Sequence, residues 1–92
     1  MFSFDISDEL GEEMARLSKK DQLRALALNK KIREIVSCDE KTIDHYQNSS
    51  YELAGTKHVH IASSFVLFFK VFKKEKHILF LRLQHHDAAF RR

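Results

Sequence analysis

Phe65-Val66-Leu67-Phe68-Phe69-Lys70-Val71-Phe72, then Lys73-Lys74-Glu75-Lys76, then His77-Ile78-Leu79-Phe80-Leu81-Arg82-Leu83-Gln84, is the stretch from which the fold is read. Two runs rich in β-branched and aromatic residues flank a short charged segment, which is the pattern of a β-hairpin. Directly opposed residues of an antiparallel pair share a face. An odd-length loop centred on Lys74 sets Phe69 against Leu79, Leu67 against Leu81 and Phe65 against Leu83, and that face is wholly apolar. The other face carries Val66, Phe68, Lys70 and Phe72 together with Ile78, Phe80, Arg82 and Gln84, half apolar and half cationic. An even-length loop would mix charge into both faces, so the odd register is the expected one. The apolar face must meet helices. The mixed face is expected to bind a partner, because monomers rarely leave such a patch open.

The helices lie upstream. Phe2-Ser3-Phe4-Asp5-Ile6 alternates apolar and polar residues, as a short strand does. Ser7 then stands where a helix cap is needed. Asp8, Glu9, Glu12 and Glu13 fall near the positive end of that helix, and Arg16, Lys19 and Lys20 near the negative end. Its apolar stripe is Leu10, Met14 and Leu17. A second helix is predicted from about Asp21 to Val36, with Ala25, Leu28, Ile32, Ile35 and Val36 at helical spacing. So short a join predicts an antiparallel helical hairpin. Residues 37–50 lack a clear period and read as a connecting loop with room for one helical turn. Beyond them the period becomes two: Tyr51-Glu52-Leu53 as a brief strand, a turn at Gly55, Lys57 to Ile61 as a strand, and a turn at Ser63-Ser64. The expected fold class is α+β: an N-terminal strand, a two-helix antiparallel hairpin, then a three- to four-stranded antiparallel sheet with the helices on one face.

At 92 residues the chain, 1–92, is expected to form a single domain. The lone Cys38 excludes an internal disulfide and fits a reducing cytoplasm. No run approaches the ~20 apolar residues needed to span a bilayer. The start, Met1-Phe2-Ser3-Phe4-Asp5, has neither the basic opening nor the cleavage site of a secretory signal, so a cytoplasmic protein without membrane contact is expected. The net charge of +3 is modest, but its distribution is uneven. From Lys57 onward Glu75 and Asp87 are the only acids among many Lys, Arg and His. Such a basic half fits a polyanion, nucleic acid first, or a solvated surface with no ligand.

Six histidines invite a metal reading. His58 and His60 alternate with Val59 on one strand face, and His85-His86-Asp87 follows the last strand. The spacing matches no closed zinc pattern and there is no second cysteine, so neither a metal nor a cofactor is expected. Ribonuclease chemistry uses histidine without a metal. A base takes the proton of the RNA 2′-hydroxyl, an acid protonates the leaving 5′-oxygen, and cations surround the charged phosphorane. Histidine suits the first two roles because its pKa lies near neutrality, and Lys and Arg suit the third. His60, His86, Lys70 and Arg82 form such a set, with Lys57 as a further cation. The bland reading has His58 and His60 as exposed strand residues and Arg82 as an anchor for the tail. Phe90 fits either a stacking platform for a base or a tail residue pinned into the core. Arg91 and Arg92 either contact phosphate or solvate the end.

His45-Tyr46, Leu53-Ala54-Gly55, His58-Val59-His60-Ile61, Ser64-Phe65-Val66-Leu67 and His85-His86-Asp87-Ala88-Ala89-Phe90 together resemble the RelE/ParE toxin superfamily, above all its RelE-like and YafQ-like branches. The resemblance extends over essentially the whole chain, and the element order is that family's order. It implies a toxin of a type II toxin–antitoxin system: a ribosome-associated mRNA endonuclease neutralised by a cognate antitoxin. In the YafQ-like branch a strand histidine and a tail histidine are catalytic, followed by an aromatic, and these positions look like His60, His86 and Phe90. The branch's acidic residue before the strand aromatic is Ser64 here. RelE instead places basic residues where His58 and His60 stand, an arginine where Val66 stands and a tyrosine at Phe90. The catalytic set implied is therefore His60 and His86 as acid and base, Arg82 on phosphate charge and Asp87 orienting a neighbouring histidine. Lys57, His58, Lys70, Phe90 and Arg91 are the expected RNA contacts. ParE-like relatives of the same fold poison a topoisomerase. The competing expectation is accordingly a non-catalytic binding module, either a topoisomerase inhibitor or a degenerate toxin that only binds its antitoxin.

Overall fold

The computed structural model describes residues 1–49 and 54–85. Within them the chain runs β1 (Ser3–Ile6), α1 (Asp8–Lys20), α2 (Gln22–Val36), a 3-10 turn (Thr42–His45), β2 (Gln47–Asn48), β3 (Lys57–Ile61), β4 (Phe65–Phe72) and β5 (His77–His85). The sheet order is β1-β5-β4-β3-β2. β3 to β5 are antiparallel, as the alternating sequence predicts; β2, inside the segment read as a loop, adds antiparallel to β3, and β1 adds in parallel along β5, pairing Ser3 with His77 and Ile6 with Phe80. The brief strand read at Tyr51-Glu52-Leu53 falls outside the described residues.

Both helices start on the residues that their capping chemistry requires. The Ser7 hydroxyl accepts from the Leu10 amide at 3.1 Å and donates to the Leu81 carbonyl at 2.5 Å, while the Ser7 amide donates to Phe80 at 2.9 Å. One serine thus caps α1 and fastens it to β5. Asp21 accepts from the Arg24 amide at 3.2 Å and is the N-cap of α2, so the two helices are joined by a single residue. In the connection after α2, the Asp39 carboxylate accepts from the amides of Lys41 and Thr42, which shapes the entry to the 3-10 turn. Those hydrogen bonds hold its pKa below the ordinary carboxylate value.

The core lies between the helices and one sheet face. Leu10 and Leu28, with Ile35 and Ile43 behind them, pack against Leu67, Phe69, Ile78 and Phe80, each 1% exposed or less. Burial of such a side chain contributes roughly 1.5–3 kcal/mol. Phe65, Leu67 and Phe69 face the helices, as the alternation requires.

On β5 the expected register is corrected. The hairpin loop is of even length, Lys73 to Lys76, with Phe72 opposite His77 and Phe69 opposite Phe80. The Lys76 amide closes it on the Lys73 carbonyl at 3.1 Å, with Lys76 in the left-handed region at φ 50°. Ile78 and Phe80, not Leu79 and Leu81, therefore enter the core. A bulge between Phe68/Phe69 and their β5 partners then shifts the ladder, so that Phe68 faces Arg82 and Leu67 faces Leu83. One extra residue in a strand locally resets which side chains face which way. Without it, Arg82 would stand opposite Leu67 and point at the helices. Perfect alternation hid this, because a regular ladder can place charges correctly at one end of β5 or at the other, but not at both.

Candidate functional site

The sheet face away from the helices is built by alternation from the same strands. His60 stands opposite Val66, and Val66 opposite Gln84. One step further along, His58 stands opposite Phe68, and Phe68 opposite Arg82. Adjacent strands lie about 4.8 Å apart. His60 and Gln84, two strands apart, are thus separated by roughly 10 Å of backbone, with the fully buried Val66 between them.

The two strand histidines have different surroundings. His60 is exposed. His58 is 9% exposed, and its ring lies 6.4 Å from that of His60 and 5.9 Å from that of Phe68. The His58 Nδ1 and the Ser49 Oγ share a hydrogen bond at 2.9 Å. Burial, and secondarily the neighbouring His60, push the His58 pKa below the ordinary histidine value. The physical cause is that an imidazolium there would lose hydration and face a second imidazole. His58 is thus a neutral, fixed neighbour of His60 at physiological pH, and it is the outward His60 that can meet a solvent-borne substrate.

The expected cations separate in space. Arg82 is 40% exposed on β5, with Nε 3.9 Å from Glu9 Oε2 at the start of α1. Lys70 is exposed on the same face, its ammonium 5.1 Å from the centre of the Phe72 ring. Lys57 does not join them. It stands opposite Phe69, on the helix-facing side, with only 12% of its side chain exposed. Its ammonium donates to the Tyr46 carbonyl at 3.2 Å and to Asn48 Oδ1 at 2.9 Å, and lies 3.9 Å from Asp44. This is a structural role that pins β2 to β3. Strand alternation already sets Lys57 on the face opposite His58 and His60; the expectation that it joins them goes by charge and overrides that period. His86, Asp87, Phe90 and Arg91 fall outside the described residues.

Residues not singled out from the sequence border the site. Ser49 holds His58, and Gln84 completes the row of His60 and Val66. At the end of the sheet, His85 meets Phe65 edge-on at 5.7 Å, and the Arg24 guanidinium sits 5.1 Å over the Phe65 ring. Arg24 also donates to Ser64 Oγ at 3.3 Å. The even loop and the bulge together keep Gln84 on the mixed face where the sequence places it, now opposite Val66. Among the described residues no group of three or more His, Cys, Asp or Glu side chains is placed to hold a metal ion. What the arrangement offers is an exposed imidazole beside a buried apolar row, Val66 and Phe68, with a guanidinium and an ammonium on the same face.

The comparisons agree with this architecture. A protein described as toxin RelE4, from Methanocaldococcus jannaschii, is 34% identical over 92 residues, which is 100% of this chain and 94% of the relative. Among solved structures, YafQ from Escherichia coli superposes with a TM-score of 0.72 at 14% identity, over 99% of this chain and 100% of that one. The RelBE2 toxin–antitoxin complex from Mycobacterium tuberculosis superposes with a TM-score of 0.73 at 14% identity, over 92% of this chain and 91% of that one. No family profile matches the chain. Identity of this extent over the full length establishes the class: the chain belongs to the RelE toxin superfamily, the toxin component of type II toxin–antitoxin systems. Within that superfamily its fold is the one shared by RelE and YafQ.

Proposed function

We propose that the protein is an mRNA endonuclease that acts at the ribosome in the cytoplasm and is held inactive by a cognate antitoxin. One observation carries the reading: His60 is presented on the face that also bears Arg82 and Lys70, backed by a His58 whose burial keeps it neutral. His60 takes the proton of the RNA 2′-hydroxyl as that oxygen attacks phosphorus. His86 gives a proton to the departing 5′-oxygen, and Asp87 orients a neighbouring histidine. Arg82 neutralises the charge that grows on the phosphorane oxygens, while Lys70 contacts the RNA backbone farther along β4. Phe90 and Arg91 complete the RNA contact by stacking and by charge. No metal or other cofactor enters this chemistry. A relative's structure in complex with its antitoxin supports the partner, and no described helix is long and apolar enough to cross a membrane.

A second reading is favoured by the commitment of Lys57 to Asp44 and Asn48 and by the burial of His58, which together thin the basic surface. In it the chain is a non-catalytic module that binds its antitoxin or a topoisomerase. One experiment separates the two. The protein, with His60→Ala and His86→Ala controls, is added to a translation reaction and the mRNA 5′ ends are mapped. Cuts at translated codons that disappear in both variants support the nuclease; no cuts, or equal cutting by all three proteins, selects the module.

A further inference from the structure

The outward row of β4 does not end at the histidines. It continues from Val66 and Phe68, both fully buried, to the exposed Lys70 and the half-buried Phe72, where the β4–β5 hairpin begins. Phe72 is opposed by His77, whose ring lies 6.5 Å away at an interplanar angle of 40°. The His77 imidazole is itself fixed on both nitrogens, with Ser3 Oγ 2.7 Å from Nδ1 and Asp5 Oδ2 3.1 Å from Nε2. Beyond these two rings, the loop Lys73-Lys74-Glu75-Lys76 makes the tip of the hairpin basic and exposed. Lys73 and Lys76 contact Asp44 and Glu40, but these are exposed pairs of the kind that contribute little and exchange readily.

We propose that Phe72 and His77, with Lys70 and Lys74 beside them, form a second contact for single-stranded RNA, a base-stacking platform distinct from the His60 site. Three observations favour RNA over other polyanions. The rings are held in place by strand pairing and by Ser3 and Asp5, so stacking a base costs little ordering. The Lys70 ammonium rests 5.1 Å from the centre of the Phe72 ring, within reach of a phosphate beside a base stacked there. Finally, the platform lies on the same face and the same strand as Val66, the buried residue that stands opposite the exposed His60. At about 3.4 Å per residue, Phe72 is roughly 20 Å from Val66. A single strand held at His60 that follows β4 therefore reaches the platform several nucleotides away.

The proposal takes its direction from the nuclease reading, and its test is independent of cleavage. Fluorescent single-stranded oligonucleotides of increasing length, 2′-O-methylated so that no 2′-hydroxyl can attack, are titrated into the full chain and followed by anisotropy. The expected result is affinity that rises once the strand is long enough to span both sites, and that falls about tenfold in Phe72→Ala for those long strands alone. Phe72→Tyr, which keeps a stacking ring and the fold, restores it. Lys74→Ala reduces the slope of log affinity against log salt by about 0.7. Equal binding by wild type and a folded Phe72→Ala would overturn the platform. So would tight binding of a poly-glutamate peptide in place of RNA, which would assign the patch to an acidic protein segment. If Phe72-dependent binding persists while no cleavage is found in translation, the nuclease reading fails and this one stands. If cleavage proceeds with an unchanged KM in Phe72→Ala, the reverse holds.

Discussion

The His58 ring is tied to Ser49 by a 2.9 Å hydrogen bond between Nδ1 and Oγ, which joins β3 to the end of β2 beneath the outward-facing His60. Burial lowers the His58 pKa, so the folded state prefers the neutral ring while the unfolded chain titrates near the ordinary value of 6.5. The sign follows from linkage. Below 6.5 the unfolded chain takes up the proton first, so the stability that His58 contributes is complete above that pH and is lost as pH falls through the folded-state value. Urea midpoints of wild type and His58→Gln, measured at pH 7.5 and 5.5, are expected to show the larger acid loss in wild type. An equal loss in both would contradict the buried, neutral assignment.

The register of β5 gives a second test. Ile78 is fully buried against the helices, whereas Leu79 stands opposite Lys70 on the other face. Ile78→Ala is expected to cost about 2–5 kcal/mol through lost burial and the cavity left behind. Leu79→Ala should cost clearly less. A register set by an odd loop centred on Lys74 demands the opposite order, so equilibrium unfolding of the two variants decides between them.

That comparison also marks how far the sequence was legible. Element order, helix caps and the helix-facing side of β4 follow from local patterns: Ser7 and Asp21 at the caps, Leu10, Leu28 and Ile35 at helical spacing, and Phe65, Leu67 and Phe69 at alternate positions. The β5 register does not, because Ile78 and Phe80 are separated from Leu83 by one residue too many for regular alternation. Only a three-dimensional ladder shows where the strand absorbs it. Alternation likewise names the strand histidines and sets Lys57 on the opposite face, but the burial of His58 and the Asn48 partner of Lys57 do not follow from it. Both depend on β2, a two-residue strand with no pattern of its own.

Lys57 offers a direct contrast with the outward cations. Its removal leaves the half-buried Tyr46 carbonyl without this donor, while the exposed Asn48 turns to water. Lys57→Ala is expected to lower stability by about 0.5–1.5 kcal/mol. RNA cleavage should fall only in proportion to the folded fraction. A fully folded Lys57→Ala with a large loss of kcat would restore this lysine to the reaction.

Ser7 couples helix capping to the strand that carries Arg82. Its hydroxyl serves both the Leu10 amide and the Leu81 carbonyl, the residue beside Arg82. Ser7→Ala removes both contacts, and about 0.5–2 kcal/mol of stability is expected to go with the cap alone. Ser7→Thr keeps an oxygen in place and should recover most of it. Thermal unfolding of the three proteins measures this, and equal Tm values would show that the cap contributes nothing.

The strongest demand on the nuclease reading falls on His60 and Arg82, which stand on different strands of the same face with Phe68 and Val66 between them. If His60 is the base, His60→Ala should lower the cleavage rate by about 10²- to 10⁴-fold while RNA affinity changes little. Arg82 acts through charge, and it is only 3.9 Å from Glu9. Arg82→Ala should therefore lower the rate as well, whereas Glu9→Gln, which removes a competing carboxylate, should leave it unchanged or raise it. Rates measured under single-turnover conditions, with affinity measured separately, distinguish lost chemistry from lost binding. A slower Glu9→Gln would mean that the carboxylate positions the guanidinium instead of competing with phosphate for it, and Arg82 would then need Glu9 to act.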